Sequence, residues 1–334
     1  MSTEHLLGAA MLAALILYVL MAGADFGGGV WDLLAQGPRK RAQRLLIEKA
    51  LGPIWEANHV WLILAVVLLF AAFPPAFAAI SIALHVPLTL FLVGVVFRGS
   101  AFTFRAYDDR GDTQQKRWGL LFSLASVASP VLLGIIVGAV ASGGIRVEKG
   151  VVLTGFFAPW LRPFPIMVGF FALGLCAFLA AVYLANEART SEHGSPELVL
   201  DFRRRALIAG AFVGVCALGA FALSIDGAPL ISAGLRLRPF TWPLHAATAV
   251  AATATFWALY KHHIVLARVT VVAQATFILL GWAGSQYPYL LVPDFTLDSC
   301  AANPKTQELL LIALGAGSIL LFPSLLVLYR IFKR

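Results

Sequence analysis

Apolar residues in this chain come in blocks of about twenty, separated by short connections that gather the charged residues. A helix crosses a bilayer in roughly 20 residues, and nine blocks meet that length: 6–26, 53–73, 76–104, 119–141, 163–186, 205–225, 241–260, 264–284 and 307–329. The pattern predicts an all-α integral membrane protein with nine transmembrane helices. No linker or low-complexity stretch divides it, so residues 1–334 read as a single polytopic membrane domain. The first block lacks basic residues on its amino-terminal flank and runs on into GADFGGG, which argues against a cleaved signal peptide. Segment 38–51, PRKRAQRLLIEKAL, alternates basic and apolar residues and is expected to form a short helix on the cytoplasmic membrane surface.

Composition agrees: 60% of the residues are hydrophobic and only 13% charged, about half the charge of a soluble domain. The charges that remain orient the chain. Eighteen of the 25 Lys and Arg residues fall on one side: Arg39 to Lys49 after span 1, Arg105 to Arg117 after span 3, Arg189 and Arg203 to Arg205, Lys261 and Arg268, and the carboxyl-terminal Arg330, Lys333 and Arg334. Six lie opposite, and Arg98 sits within span 3. Basic loops stay cytoplasmic, which sets the amino terminus on the periplasmic side and the carboxyl terminus in the cytoplasm. The net charge of +8 is thus a topology signal spread over five segments, and a nucleic-acid partner is not implied. Cys176, Cys216 and Cys300 are far apart, without the spacing of a disulfide framework or a metal-thiolate site.

Ionisable groups inside spans are costly and mark function. Span 1 closes with Asp25, span 2 opens with Trp55, Glu56, Asn58, His59 and Trp61, and span 3 carries His85 and Arg98. At about 1.5 Å per residue, Glu56 lies roughly 5 Å inside the cytoplasmic edge and His59 about a turn deeper. Asp25 and Arg98 come to similar depth. His85 is placed nearer the midplane, and His245 of span 7 nearer the outer face. Two readings fit the cluster: an Arg98–carboxylate lock on helices 1 to 3, or a cytoplasmic proton entry path, for which adjacent carboxylates in low dielectric are suited. Glu56 and His59 form a Glu-x-x-His pair on one helical face. A carboxylate-bridged di-metal site needs a second such pair and two further glutamates, which the chain lacks, so no metal site is expected. Haem ligation by His85 or His245 competes with plainer roles. Pro87 frees a carbonyl one turn before it for the His85 imidazole, and His245 reads as a capping or interfacial residue. The glycines of GADFGGG either end the helix or allow close helix contact.

The blocks GADFGGGVWDLL, LGPIWEANHVWLILAVVLLFAAFP, FRGSAFTFR and GWAGSQYPYLLVPD, in this order, resemble subunit II of cytochrome bd-type quinol oxidase, over most of the chain. The resemblance implies two four-helix bundles plus one extra helix and a pseudo-symmetric pairing with a haem-bearing subunit I. It implies reduction of dioxygen to water by quinol, with protons drawn from the cytoplasm. Haem b and haem d, or haem b alone, are then expected in subunit I, as is quinol oxidation, and none is ligated by this chain. No catalytic residue of its own is implied. A small single-helix accessory subunit, membrane lipids and a bound quinone or lipid are further expected partners. Asp25 and Glu56 match the family's proton-path positions, and Trp55 and Trp61 its motif aromatics, with His59, Asn58 and Arg98 beside them. Thr103 stands where other members often carry Asp or Glu; either Asp108 or Asp109 substitutes from the adjoining loop, or this step is water-mediated, or the path differs here. The compact outer connection between spans 6 and 7 is similar to that of the short members, which include cyanide-insensitive oxidases. A secondary transporter with an ion-coupled substrate and a purely structural assembly subunit are the alternatives. All place the chain in the bacterial inner membrane.

Overall fold

The structure, a computed structural model, describes residues 2–51, 55–107 and 112–332. The chain begins with α1 (Thr3–Leu33), α2 (Lys40–Leu51), the one-turn α3 (Trp55–Asn58), α4 (Val60–Ala72), α5 (Pro74–Ala83), α6 (His85–Tyr107) and α7 (Asp112–Ser142). After the hairpin of β1 (Val147–Glu148) and β2 (Val151–Val152) come α8 (Pro163–Thr190), α9 (Pro196–Gly227), α10 (Pro229–Leu237), α11 (Thr241–Tyr260) and α12 (Ile264–Gln286). A second hairpin, β3 (Tyr289–Leu291) with β4 (Phe295–Thr296), precedes α13 (Pro304–Phe332). Proline opens α5, α8, α9, α10 and α13, where its missing N–H costs nothing because the first helical turn lacks acceptors.

Seven helices among the described residues are long and apolar enough to cross a membrane, or eight if α2 to α4 count as one bent span. These are fewer than the nine spans expected. The 13-residue α4 is too short by itself, and the 20-residue α11, rich in Ala and Thr, is not among the seven. Both pack within the bundle, α4 on α1 and α11 on α12, and the bundle has two distinct ends. At one end Val292 bonds Val140, Ala302 bonds Ala72, and Arg146 pairs with Asp294. At the other, Arg39 and Gln43 reach Asp201, and Arg203 donates to the Leu259 carbonyl.

The expected span 76–104 is two helices. Pro74 and Pro75 halt α4, and the ten-residue α5 packs on β2 and β3 at the first of these ends before α6 begins at His85. His85 is therefore at a helix start, exposed and against Phe156 of the connection to α8, with ring centroids 4.8 Å apart. It is not near the midplane.

The glycines of GADFGGG do not end the helix: α1 continues to Leu33. A Cβ on Gly27 would sit 2.0 Å from the Cys176 carbonyl oxygen of α8. On Gly28 it would lie 2.7 Å from Leu51 of α2, and on Gly29 2.2 Å from Ser126 of α7. Three successive glycines thus let three elements close on one turn of α1, the small-residue logic of membrane helix packing. The largest core cluster lies here, with residues 175 to 182 of α8 all buried. Segment 38–51 forms α2 as expected, but the helix is tied into the bundle: Gln43, Leu46, Ile47 and Leu51 are buried on its inner face. Large apolar side chains face outward elsewhere, among them Val215, Leu218, Ile319 and Leu320 at about 70% exposure, which suits hydrocarbon and not water.

Candidate functional site

Of the polar residues picked out along the sequence, Asp25 of α1, Asn58 of α3 and Arg98 of α6 come together toward the α2 end. Asp25 of α1 is buried and accepts a 2.6 Å hydrogen bond from the amide Nδ2 of Asn58. Arg98 of α6 is 2% exposed and electrostatically coupled to Asp25. Its Nε donates to the Ser126 hydroxyl at 3.2 Å, and that hydroxyl donates on to the Phe122 carbonyl. The guanidinium lies 5.0 Å from the Phe26 ring and 5.3 Å from the Phe122 ring. A buried cation is tolerable only when both its charge and its N–H groups are met, and here a carboxylate, a hydroxyl and two ring faces supply that environment.

His59 is the turn between α3 and α4. Its ring packs on Tyr18 and Phe26, with Nδ1 3.4 Å from the Tyr18 hydroxyl. Trp61 is buried, its indole N–H 3.2 Å from the Met21 sulfur and its ring against Phe322 of α13. Glu56 behaves differently from the expectation that it shares a face with His59: its side chain is exposed, while Asn58 and His59 turn inward onto α1. The cause is local. One turn of α3 is followed by a break at His59, whose N–H bonds Glu56 three residues back, so a regular helical face does not continue across it. Trp55 opens α3, and its side chain lies outside the described residues, as do Asp108 and Asp109. Thr103 is exposed and donates its hydroxyl to the Gly99 carbonyl at 3.1 Å.

The sequence reading missed Asp32. It is 1% exposed, two turns beyond Asp25 on α1, accepting from Ser123 at 3.1 Å and lying 3.7 Å from Arg44 of α2. Its signal was present in GADFGGGVWDLL, but ending span 1 near residue 26 left it in the loop. The span histidines take the plainer roles. His85 Nδ1 lies 3.1 Å from the Ile82 carbonyl, one residue from the carbonyl expected, and His245 Nε2 lies 3.0 Å from the Leu235 carbonyl of α10. They sit on helices with different neighbours, α6 on α5 and α7, α11 on α9, α10 and α12.

A bundle of long apolar helices with outward-facing apolar side chains and a buried Arg–carboxylate–amide cluster near one end defines a polytopic membrane protein. The family model described as "Cytochrome bd terminal oxidase subunit II" matches residues 3–332, and the chain belongs to that family. It is thus subunit II of a bd-type quinol oxidase, part of a respiratory oxidoreductase of the bacterial inner membrane. It is 22% identical to a putative cytochrome bd menaquinol oxidase subunit II of Bacillus subtilis, over 100% of this chain and 96% of that protein. To the cytochrome bd-I ubiquinol oxidase subunit 2 of Escherichia coli K12 it is 30% identical, over 60% of this chain and 52% of the other. In fold it is similar to a chain in the structure of bd oxidase from Geobacillus thermodenitrificans, with a TM-score of 0.80, 24% identity and 99% of both chains covered.

Proposed function

We propose that within the oxidase this chain scaffolds subunit I and carries a proton-uptake route from the cytoplasm. In this reading it forms one polytopic unit with α1, α4, α6, α7, α8, α9, α11, α12 and α13 as nine crossings, arranged as two four-helix bundles and an extra helix. The amino terminus is periplasmic. Haem b and haem d, or haem b alone, reside in subunit I and supply electron transfer from quinol to dioxygen. A single-helix accessory subunit and lipids complete the assembly. What this chain's own residues supply is charge and hydrogen bonding on the way inward.

One observation carries the route: an exposed carboxyl, Glu56, stands two residues before Asn58, whose amide holds the buried carboxylate of Asp25. A proton taken up on Glu56 is drawn inward by the negative charge of Asp25, which also balances Arg98. His59 and Tyr18 offer groups that accept and donate along the same wall. Thr103, its hydroxyl hydrogen given to Gly99, keeps its lone pairs for a water but cannot itself hold the proton. The test is Glu56→Gln, with quinol-dependent oxygen uptake measured on complex whose haem spectrum shows full assembly. Slowed turnover per assembled complex supports the route, and unchanged turnover leaves Glu56 without a proton role.

The purely structural reading also has an observation behind it. Arg98 is enclosed by groups of α1 and α7 as a helix lock would be. Under that reading Asp25→Asn lowers the yield of assembled complex while turnover per complex stays normal. Membership of the oxidase family weighs against the transporter alternative.

A further inference from the structure

A second polar site lies at the same end of the bundle, away from the Asp25 cluster. Between the loop after α1, the start of α2 and the first turns of α9 is a cleft of about 320 Å³, within the size range of small-ligand pockets. Its charged lining is Arg39, Arg204, Arg205 and Asp201, three cations and one anion. The anion is already used. Asp201 accepts from Arg39 Nε at 2.8 Å, Arg39 Nη2 at 2.6 Å and Gln43 Nε2 at 2.9 Å. Two arginines make no hydrogen bond to it, although its charge also acts on Arg205. Arg205 gives Nη2 to the Gln43 side-chain oxygen at 2.7 Å and the Leu34 carbonyl at 3.4 Å, stacks near Trp31 and Phe202, and leaves Nη1 shut from solvent without a partner. Arg204 is exposed and makes no hydrogen bond or ion pair among the described residues. Arg203 is differently engaged, since it caps α11 through the Leu259 and Tyr260 carbonyls.

The cleft also has an apolar edge. Ile208 lines it one turn beyond Arg204, and exposed Phe212 and Val215 continue the same face of α9 toward the bundle centre. A site for a free anion needs no such stripe. Three arginines sharing one carboxylate at a membrane boundary, opening onto outward apolar side chains, match a phosphate headgroup with acyl chains beyond it.

We propose that this cleft binds the phosphate of an anionic phospholipid, with Arg204 and Arg205 as its cationic ligands and Ile208 at the head of the acyl path. The site stands apart from the proton route, so loss of either leaves the other intact.

The test is native mass spectrometry of the purified, delipidated oxidase complex titrated with phosphatidylglycerol, phosphatidylcholine or inorganic phosphate. Arg204→Gln is the main variant, because an exposed side chain without bonds is dispensable for folding; Arg205→Gln is the second. Removing one charged hydrogen bond should weaken binding roughly tenfold or more. The proposal expects phosphatidylglycerol to bind at least about tenfold more tightly than phosphatidylcholine, and R204Q to lose most of that preference while its oxygen uptake is unchanged. Equal binding of the two lipids overturns it, as does an R204Q complex that retains phosphatidylglycerol like the wild type. Inorganic phosphate binding as tightly as phosphatidylglycerol overturns the lipid assignment in favour of a free-anion site.

Discussion

Asp25→Asn is the perturbation that most directly tests the charge balance of Arg98. Arg98 is fully enclosed, and the carboxylate coupled to it is Asp25, itself held by Asn58. Taking away one partner of a buried ion pair costs about 3–5 kcal/mol, because the other charge is left uncompensated. Membrane insertion scales give a similar figure, about 2.5–3.5 kcal/mol for an arginine at the centre of a helix. A loss near 3 kcal/mol is a large share of the roughly 5–15 kcal/mol by which folded proteins are stable. The variant complex should therefore unfold at a clearly lower denaturant midpoint and purify in reduced yield. Neutralising the partner as well, in Asp25→Asn with Arg98→Gln, removes the stranded charge while leaving an amide within reach of Ser126. The double variant should recover most of the loss. A double-mutant cycle on the purified oxidase, read by denaturant midpoint and haem spectrum, measures this coupling. Wild-type stability in the single variant, or no recovery in the double, would refute the charge-balance account of Arg98.

The remaining predictions use other contacts. Gly29→Ala drives a Cβ into Ser126 at 2.2 Å and should cost about 1–3 kcal/mol. Gly214→Ala meets nothing within 4 Å and should be neutral or stabilising by about 0.5–1 kcal/mol; equal thermal shifts for the two would discredit the packing account of GADFGGG. Thr103→Val should slow oxygen uptake less than Glu56→Gln, since a hydroxyl positions water without holding the proton, and a loss as large as that of Glu56→Gln would give Thr103 a greater role. Burial pushes the Cys300 thiol, in the connection before α13, up to about 12. At pH 8 its thiolate fraction is then about a thousandfold lower than that of a thiol at 9. Maleimide should label Cys300 only after unfolding, and rapid labelling of the native complex would contradict its burial.

Hydropathy made the long helices legible because each must satisfy its own backbone within hydrocarbon, which stamps a block length on the sequence. It misjudged α5 because ten apolar residues packed on the strands at the bundle end carry the same hydropathy as ten residues crossing the membrane; only Pro74 and Pro75 marked the difference. Depth along a helix can be counted from residue numbers, so Asp25 and Arg98 came out as neighbours. Direction around a helix cannot be counted across a break, so Glu56 and His59, assigned to one face, part company where α3 gives way to α4. Asp32 was lost for a related reason. Three glycines read equally well as an ending or as close packing, and only the partners of Gly27, Gly28 and Gly29 on α8, α2 and α7 decide between them. That choice extends α1 by two turns and carries a second buried carboxylate to Ser123 and Arg44. Asp25 is therefore set in a helix whose next turn is packed tightly, Gly27 against the α8 backbone and Gly28 and Gly29 against the Leu51 and Ser126 side chains. Under the proposed route, a proton reaching Asp25 enters beside a turn of α1 that has no room to widen, since each of the three glycines is already closed on by a neighbouring element.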